Sequence, residues 1–181
     1  MRRRVVSALA SVGAWLLLTG HSPYRQWRVF RQRYLLITTS RDDPGGDDLG
    51  ERVAAVLAAR LPESRAMVSR ASSVERIASL MATGQADVAV LAAGAAQALY
   101  RGQPPLAHYG PFPLRVIVAA EQYRLVCGAE FPRHHGYLVA EALADDRSGP
   151  PLRVPDPDAA GIPAHPGALA FARGEPVEAP P

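Results

Sequence analysis

The hydrophobic positions change period along the chain, and the changes mark the elements. Tyr34–Thr39 (YLLITT) is a short apolar, β-branched run closed by turn residues, which predicts a strand. Leu49, Val53, Val56 and Leu57 then recur at helical spacing on one face. Between them lies Ser40–Asp48, where Gly45-Gly46 lets the backbone turn and a side chain would clash. Asp48 followed by Glu51 reads as a capping box, so the helix is expected to open at Asp48. Ser64–Arg70 reads as a second strand with imperfect alternation. A capping box from Ser72 to Glu75 opens the next helix, with a stripe of Val74, Ile77, Leu80 and Met81 and an end at Gly84. Asp87–Ala92 (DVAVLA) is the third strand, and Ala93–Tyr100 is a short helix closed near Gly102. This βαβαβα succession with short connections predicts parallel strands joined by right-handed crossovers.

The pattern then changes. Gln103–Pro113 is a proline-rich loop. Leu114–Ala119 and Tyr123–Ala129 are two strand-like runs close enough to form a hairpin, hence an antiparallel addition to the sheet. Pro132–Asp145 reads as a helix with Pro132 in its first turn. Arg147–Pro163 is rich in Pro, Gly and Asp and reads as a linker, and Ala164–Gly174 as a short helix starting near Pro166. The expected fold is α/β: a mostly parallel sheet with helices on both faces and an antiparallel return strand. Three regions follow: an N-terminal segment 1–33, an α/β lobe 34–145 and a proline-rich extension 146–181.

Segment 1–33 has its own character. Val5–Gly20 is 16 residues without a charge, behind a basic start at Arg2–Arg4. As a helix it would span about 24 Å, short of the roughly 30 Å hydrocarbon core, and continuing to Tyr24 closes the gap. It reads as an uncleaved membrane anchor, with a cleaved signal peptide or a buried helix as alternatives. The following YRQWRVFRQR is basic and aromatic, suited either to an anionic lipid surface or to a solvated continuation of the anchor. The expected location is periplasmic, tethered to the inner membrane.

Charge sharpens this division. All 20 basic residues are arginine, and seven of them fall in 1–33, which holds no acid; the remaining 13 face 17 acids, a net of −4. The basic balance therefore belongs to the N-terminus and argues against nucleic acid as a partner of the lobe. A single cysteine, Cys127, excludes an intrachain disulfide and reads as a core thiol.

Candidate chemistry is sparse. Asp42, Asp43, Asp47 and Asp48 crowd one turn without the spacing of a calcium loop, which points to a solvated, helix-capping cluster. His134-His135 with distant His165 makes a poor metal set, because adjacent helical residues point about 100° apart. No nucleophile elbow and no phosphate-binding glycine fingerprint is present. Neither an enzyme, nor a cofactor, nor a metal site is expected. In a parallel sheet, ligands bind beyond the carboxyl ends of strands, at helix N-termini. The residues placed there are Ser40, Arg41, Gly45, Gly46, Ser72 and Ser73, with Gly94 nearby.

Three stretches together resemble one family. They are the strand–turn–helix at Tyr34–Leu61, the run MATGQADVAVLAAGAAQALYRG, and LVCGAEFPRHHGYLVAEAL followed by IPAHPGALAF. The turn His165-Pro166-Gly167-Ala168 is the most specific piece. The combination is similar to the TAXI family of TRAP transporter solute-binding proteins, of the type 2 periplasmic binding fold. That resemblance implies two lobes closing over a small carboxylate-type solute and delivery to TRAP membrane subunits. Here the first lobe's strands run almost straight into the return strand at Tyr123, so the second lobe is expected to be missing. The resulting expectation is an exported, tethered, single-lobe solute-binding-like subunit holding a small carboxylate or amino-acid-like anion. The alternative is a protein-interaction module derived from one lobe, which should expose an apolar face where the second lobe would pack.

Overall fold

The computed structural model describes residues 34–156 and 161–177. The expected N-terminal anchor and basic segment lie outside these residues. Among the described residues no helix is long and apolar enough to cross a membrane.

Strand β1 (Leu36–Ser40) lies between β2 (Met67–Ala71) and β3 (Val88–Ala92), parallel to both. Helix α1 (Pro44–Arg60) joins β1 to β2, helix α2 (Val74–Ala82) joins β2 to β3, and helix α3 (Ala93–Arg101) follows β3. The chain then forms a hairpin of β4 (Leu114–Ala120) and β5 (Tyr123–Gly128). The sheet order is β2-β1-β3-β5-β4. Strand β5 pairs antiparallel with both β3 and β4, so it alone runs against the other four. The result is a mixed α/β sheet, completed by helices α4 (Arg133–Ala144) and α5 (Pro166–Ala172).

Side-chain alternation divides the strand residues between two cores. Ile37, Val88, Val90, Leu125 and Cys127 pack with Leu49, Val53 and Leu57 of α1, Val139 and Leu143 of α4 and Ala168 of α5. Ala71, Ala89, Leu91, Leu114, Val116 and Val126 pack with Ile77 and Met81 of α2 and Ala96 and Leu99 of α3. A β-bulge at Ile117 breaks the alternation, because Val116 pairs with Val126 while Val118 pairs with Leu125. The extra residue turns Ile117 and Val118 into the first core, although Val116 serves the second.

Boundaries differ from the sequence reading at three helix starts. Helix α1 opens one turn earlier than Asp48, at Pro44, because Asp43 is the cap and accepts the Gly46 N–H at 3.2 Å. Pro44 suits the first helical position, having no N–H to satisfy. Gly45 and Gly46 thus belong to the helix's first turn and not to a free loop. At α2 the cap is Ser73, whose Oγ accepts the Arg76 N–H at 3.3 Å, one residue later than the expected Ser72. Helix α4 likewise starts at Arg133, with Pro132 as its cap residue.

The outer edge of β4 is closed by the C-terminal segment. Ala119 and Arg153 exchange two backbone hydrogen bonds, at 2.7 and 3.0 Å. Val116 N–H donates to the Pro163 carbonyl at 3.0 Å, and the His165 N–H donates to the Val116 carbonyl at 2.8 Å. Helix α5 then lies along α4. At their closest approach a side chain on Gly167 would overlap the Arg133 carbonyl, and one on Gly136 would overlap the His165 ring.

Candidate functional site: the carboxyl rim of the sheet

Because β1, β2 and β3 are adjacent and parallel, their carboxyl ends and the N-termini of α1, α2 and α3 meet at one rim. The β4–β5 turn, Glu121-Gln122, arrives at the same rim, since β5 starts where the other strands end. The expected convergence of Ser40–Gly46 with Ser72, Ser73 and Gly94 therefore holds at the level of the backbone.

The side chains sort differently. Ser40 is 2% exposed, and its Oγ accepts the Asp42 N–H at 3.2 Å while its carbonyl accepts the Asp43 N–H at 3.2 Å. Its hydroxyl shapes the turn after β1. Arg41 is tied by its backbone, its N–H donating to the Ala71 carbonyl at 3.0 Å. Its guanidinium is exposed and has no hydrogen-bond or ion-pair partner among the described residues. Ser72 is exposed, whereas Ser73 is occupied as the α2 cap. The Glu75 carboxyl is held below the usual range by its own backbone N–H and by the Ser73 hydroxyl. Gly94, in the first turn of α3, is exposed, and a side chain there would meet nothing within 4 Å. Helix α3 has no side-chain cap, and its first N–H, from Ala93, donates to the Gln122 carbonyl at 2.7 Å.

Tyr123 reorganises the α1 end of the rim. Its hydroxyl donates to Asp43 Oδ1 at 2.7 Å, the same oxygen that accepts the Gly46 N–H. A side chain on Gly45 would come within 2.5 Å of the Tyr123 hydroxyl, so the ring lies directly on this first turn. The hydrogen bond to Asp43, reinforced by burial, raises the Tyr123 phenol above its ordinary value. A carboxylate and an aromatic ring of the chain itself thus engage the α1 N-terminus on one side, while Pro44 and Gly45 stay exposed. Of the six expected residues, Gly46 is buried and Ser40 and Ser73 are engaged locally; Gly45 is exposed but leaves no room for a side chain beside Tyr123, and Arg41 and Ser72 are open to solvent.

Beside the rim, Asp47 joins α1 to the sheet. Its Oδ1 accepts the Thr39 hydroxyl at 2.6 Å, and its Oδ2 accepts Arg70 Nε at 2.9 Å. The Thr39 bond first, then Arg70, hold the Asp47 carboxyl below the usual range. Arg70 also contacts Glu51. The acidic cluster is thus divided between capping (Asp43) and strand–helix pairing (Asp47).

The histidines stand far apart in role. His134 and His135 begin α4 with ring centroids 6.2 Å apart. His165 is 1% exposed; its Nδ1 accepts the Gly167 N–H at 3.1 Å, and its Nε2 lies 3.0 Å from the Phe131 carbonyl, to which it donates. Among the described residues no three metal-ligating side chains gather. Cys127 is buried in the first core, and burial pushes its thiol well above its usual value.

Sequence reasoning missed Tyr123 and Gln122 as rim residues, and it placed Asp43 in the acidic, helix-capping turn without singling it out as the cap of α1. The only available signal was position: Tyr123 opens a strand right after the hairpin turn, where its polar tip can reach a neighbouring helix end.

The described residues form an α/β domain with polar residues gathered at the carboxyl ends of its parallel strands. No family model, no curated protein and no solved structure matches the chain.

Proposed function

We propose that the chain is a non-enzymatic, single-lobe relative of TAXI-type solute-binding proteins. Its rim holds a small carboxylate or amino-acid-like anion through Arg41, the Ser72 hydroxyl and the N–H groups of the first turn of α3 that follow Ala93. The observation that carries this reading is Arg41, exposed just past the end of β1 at the rim where three helices begin, its guanidinium without a hydrogen-bond or ion-pair partner among the described residues. The placement of β5, antiparallel between β3 and β4, is consistent with a return strand of the kind the resemblance implies. Where that family would insert a second lobe, Glu121-Gln122 closes a tight hairpin. A ligand is then covered on one side only, whereas tight small-molecule sites bury roughly 70–90% of the ligand. Affinity in the range of about 1 mM follows, equivalent to roughly 4 kcal/mol.

In this reading segment 1–33 tethers an exported domain to the inner membrane, and TRAP membrane subunits are the partners. The interaction-module alternative is less favoured, because Met67 is the one exposed large hydrophobic residue among those described. It lies at the start of β2, the end of that strand away from the rim. The rim itself is polar.

Isothermal titration of the full chain, in mild detergent, against dicarboxylates and amino acids tests the reading. Weak saturable heat that disappears in Arg41→Gln supports it. No heat at roughly 10 mM ligand, about tenfold above that expected dissociation constant, refutes it.

A further inference from the structure

The HPGA turn takes no part in the rim, and its chemistry points elsewhere. His165 sits where three pieces of structure meet. Its backbone N–H closes the edge of β4 through Val116; its Nδ1 caps the first turn of α5 through Gly167; its Nε2–H reaches back to the Phe131 carbonyl ahead of α4. Both ring nitrogens are satisfied only in the neutral form with the proton on Nε2. A second proton must go on Nδ1, which then faces the Gly167 N–H, donor against donor. Gly136 of α4 confines the ring on one side, lying against it so closely that even a methyl group there would overlap it. The Phe131 ring stands edge-on at 5.7 Å, with His135 on that ring at 5.9 Å.

We propose that His165 is an acid-sensitive latch, whose protonation releases α5 and the chain before it from α4 and uncovers the outer edge of β4.

Among the described residues no carboxylate pairs with the His165 ring. From β4 the charged group acting on the ring is Arg115, a cation. From α4 come His134 and His135, and Arg133, whose carbonyl packs on Gly167 while its guanidinium lies 3.9 Å from Glu175. From α5 and its end come Arg173 and Glu175, paired with each other at 3.8 Å. Burial first, and then Arg115, hold the imidazole below its ordinary value, while the Phe131 carbonyl opposes them. In the released state the ring regains its solution behaviour, near pH 6.5. The latch is therefore fully closed above that pH. It weakens as pH falls from there toward the depressed value of the closed state. Release frees the Val116 N–H and carbonyl, an edge able to accept another strand.

Hydrogen exchange on the full chain between pH 7.5 and 4.5, corrected for intrinsic rates, tests this. The Gly167 and Leu169 amides are expected to lose protection about tenfold per pH unit below about 6.5, while β1 and β3 amides hold. In His165→Asn, whose side-chain oxygen can still cap Gly167, that slope is expected to vanish. Simultaneous loss across all elements, no slope at α5, or an unchanged slope in His165→Asn would overturn the latch. Should the variant fail to fold, ring ¹⁵N shifts in the wild type decide: His165 protonation must coincide with the α5 change.

Discussion

Tyr123, the first residue of β5, donates its phenolic hydrogen to Asp43, the residue that caps α1, at 2.7 Å. One carboxylate oxygen thereby joins elements 80 residues apart in sequence. The hairpin is pinned to the helix that opens the fold, and the α1 end of the rim is engaged on one side in the same contact. Tyr123→Phe keeps the ring but removes the donor. A loss of about 1–2 kcal/mol is expected, read as a lower urea midpoint with unchanged slope. Because the folded state raises the phenol, the contribution is present below about pH 10 and is lost as pH climbs through the folded value. The variant should show less alkaline destabilisation than the wild type.

Gly136→Ala gives a test whose sign decides between two effects. Alanine in a helix interior normally favours the helix by about 1 kcal/mol over glycine. Here the methyl would overlap the His165 ring, and overpacking of this kind costs about 1–3 kcal/mol. The expected outcome is a lower melting temperature. A higher one would mean that α4 and α5 are less closely seated than described.

Asp146, just past α4, accepts Arg52 Nε at 2.6 Å, and both side chains are largely buried. Arg52 Nη2 is buried without a partner, so the guanidinium depends on this one carboxylate and on Ser148. Asp146→Ala leaves that charge uncompensated, with an expected loss of about 3 kcal/mol. Equilibrium denaturation checks it, and Arg52→Met in the same background should recover part of the loss.

The acid limb of stability should report two carboxylates. At Asp146 burial alone would raise the carboxyl, but Ser148 and Arg52 outweigh it and hold it low. At Asp47, Thr39 and Arg70 do the same. Both contributions are present above about pH 4 and are lost as pH falls through the depressed folded values. Urea midpoints measured from pH 6 to 2.5 should therefore drop, and Asp47→Asn with Asp146→Asn should flatten that drop.

The elements of the lobe were legible because their periodicity is local. The three parallel strands, the hairpin and the helix after Pro132 lie within a few residues of where the apolar spacing puts them, β2 starting at Met67 and not at Ser64. The caps of α1 and α2 were not. Asp43 and Asp48, like Ser72 and Ser73, are chemically equivalent candidates, and the choice depended on contacts with other elements. At α1 the deciding partner was Tyr123, distant in sequence. The bulge at Ile117 was hidden as well, since LRVIVA reads as unbroken alternation with Leu114, Val116 and Val118 on one face.

For the rim, local pattern brought Ser40, Arg41, Ser72 and Ser73 to one end of the sheet, because consecutive right-handed crossovers leave every helix N-terminus on the same side. Which of them faces solvent was a tertiary matter. Packing turned Ser40 inward, laid Tyr123 against the first turn of α1, and left the Arg41 side chain without a partner among the described residues. The same holds for His165. A sequence can show that a histidine precedes Pro-Gly, but only the seating of α5 on α4 makes that ring buried, doubly hydrogen-bonded and neutral. Periodicity acts through bonds a few residues long and is written in the chain. Exposure and protonation depend on atoms brought together from far along it, and folding alone decides them.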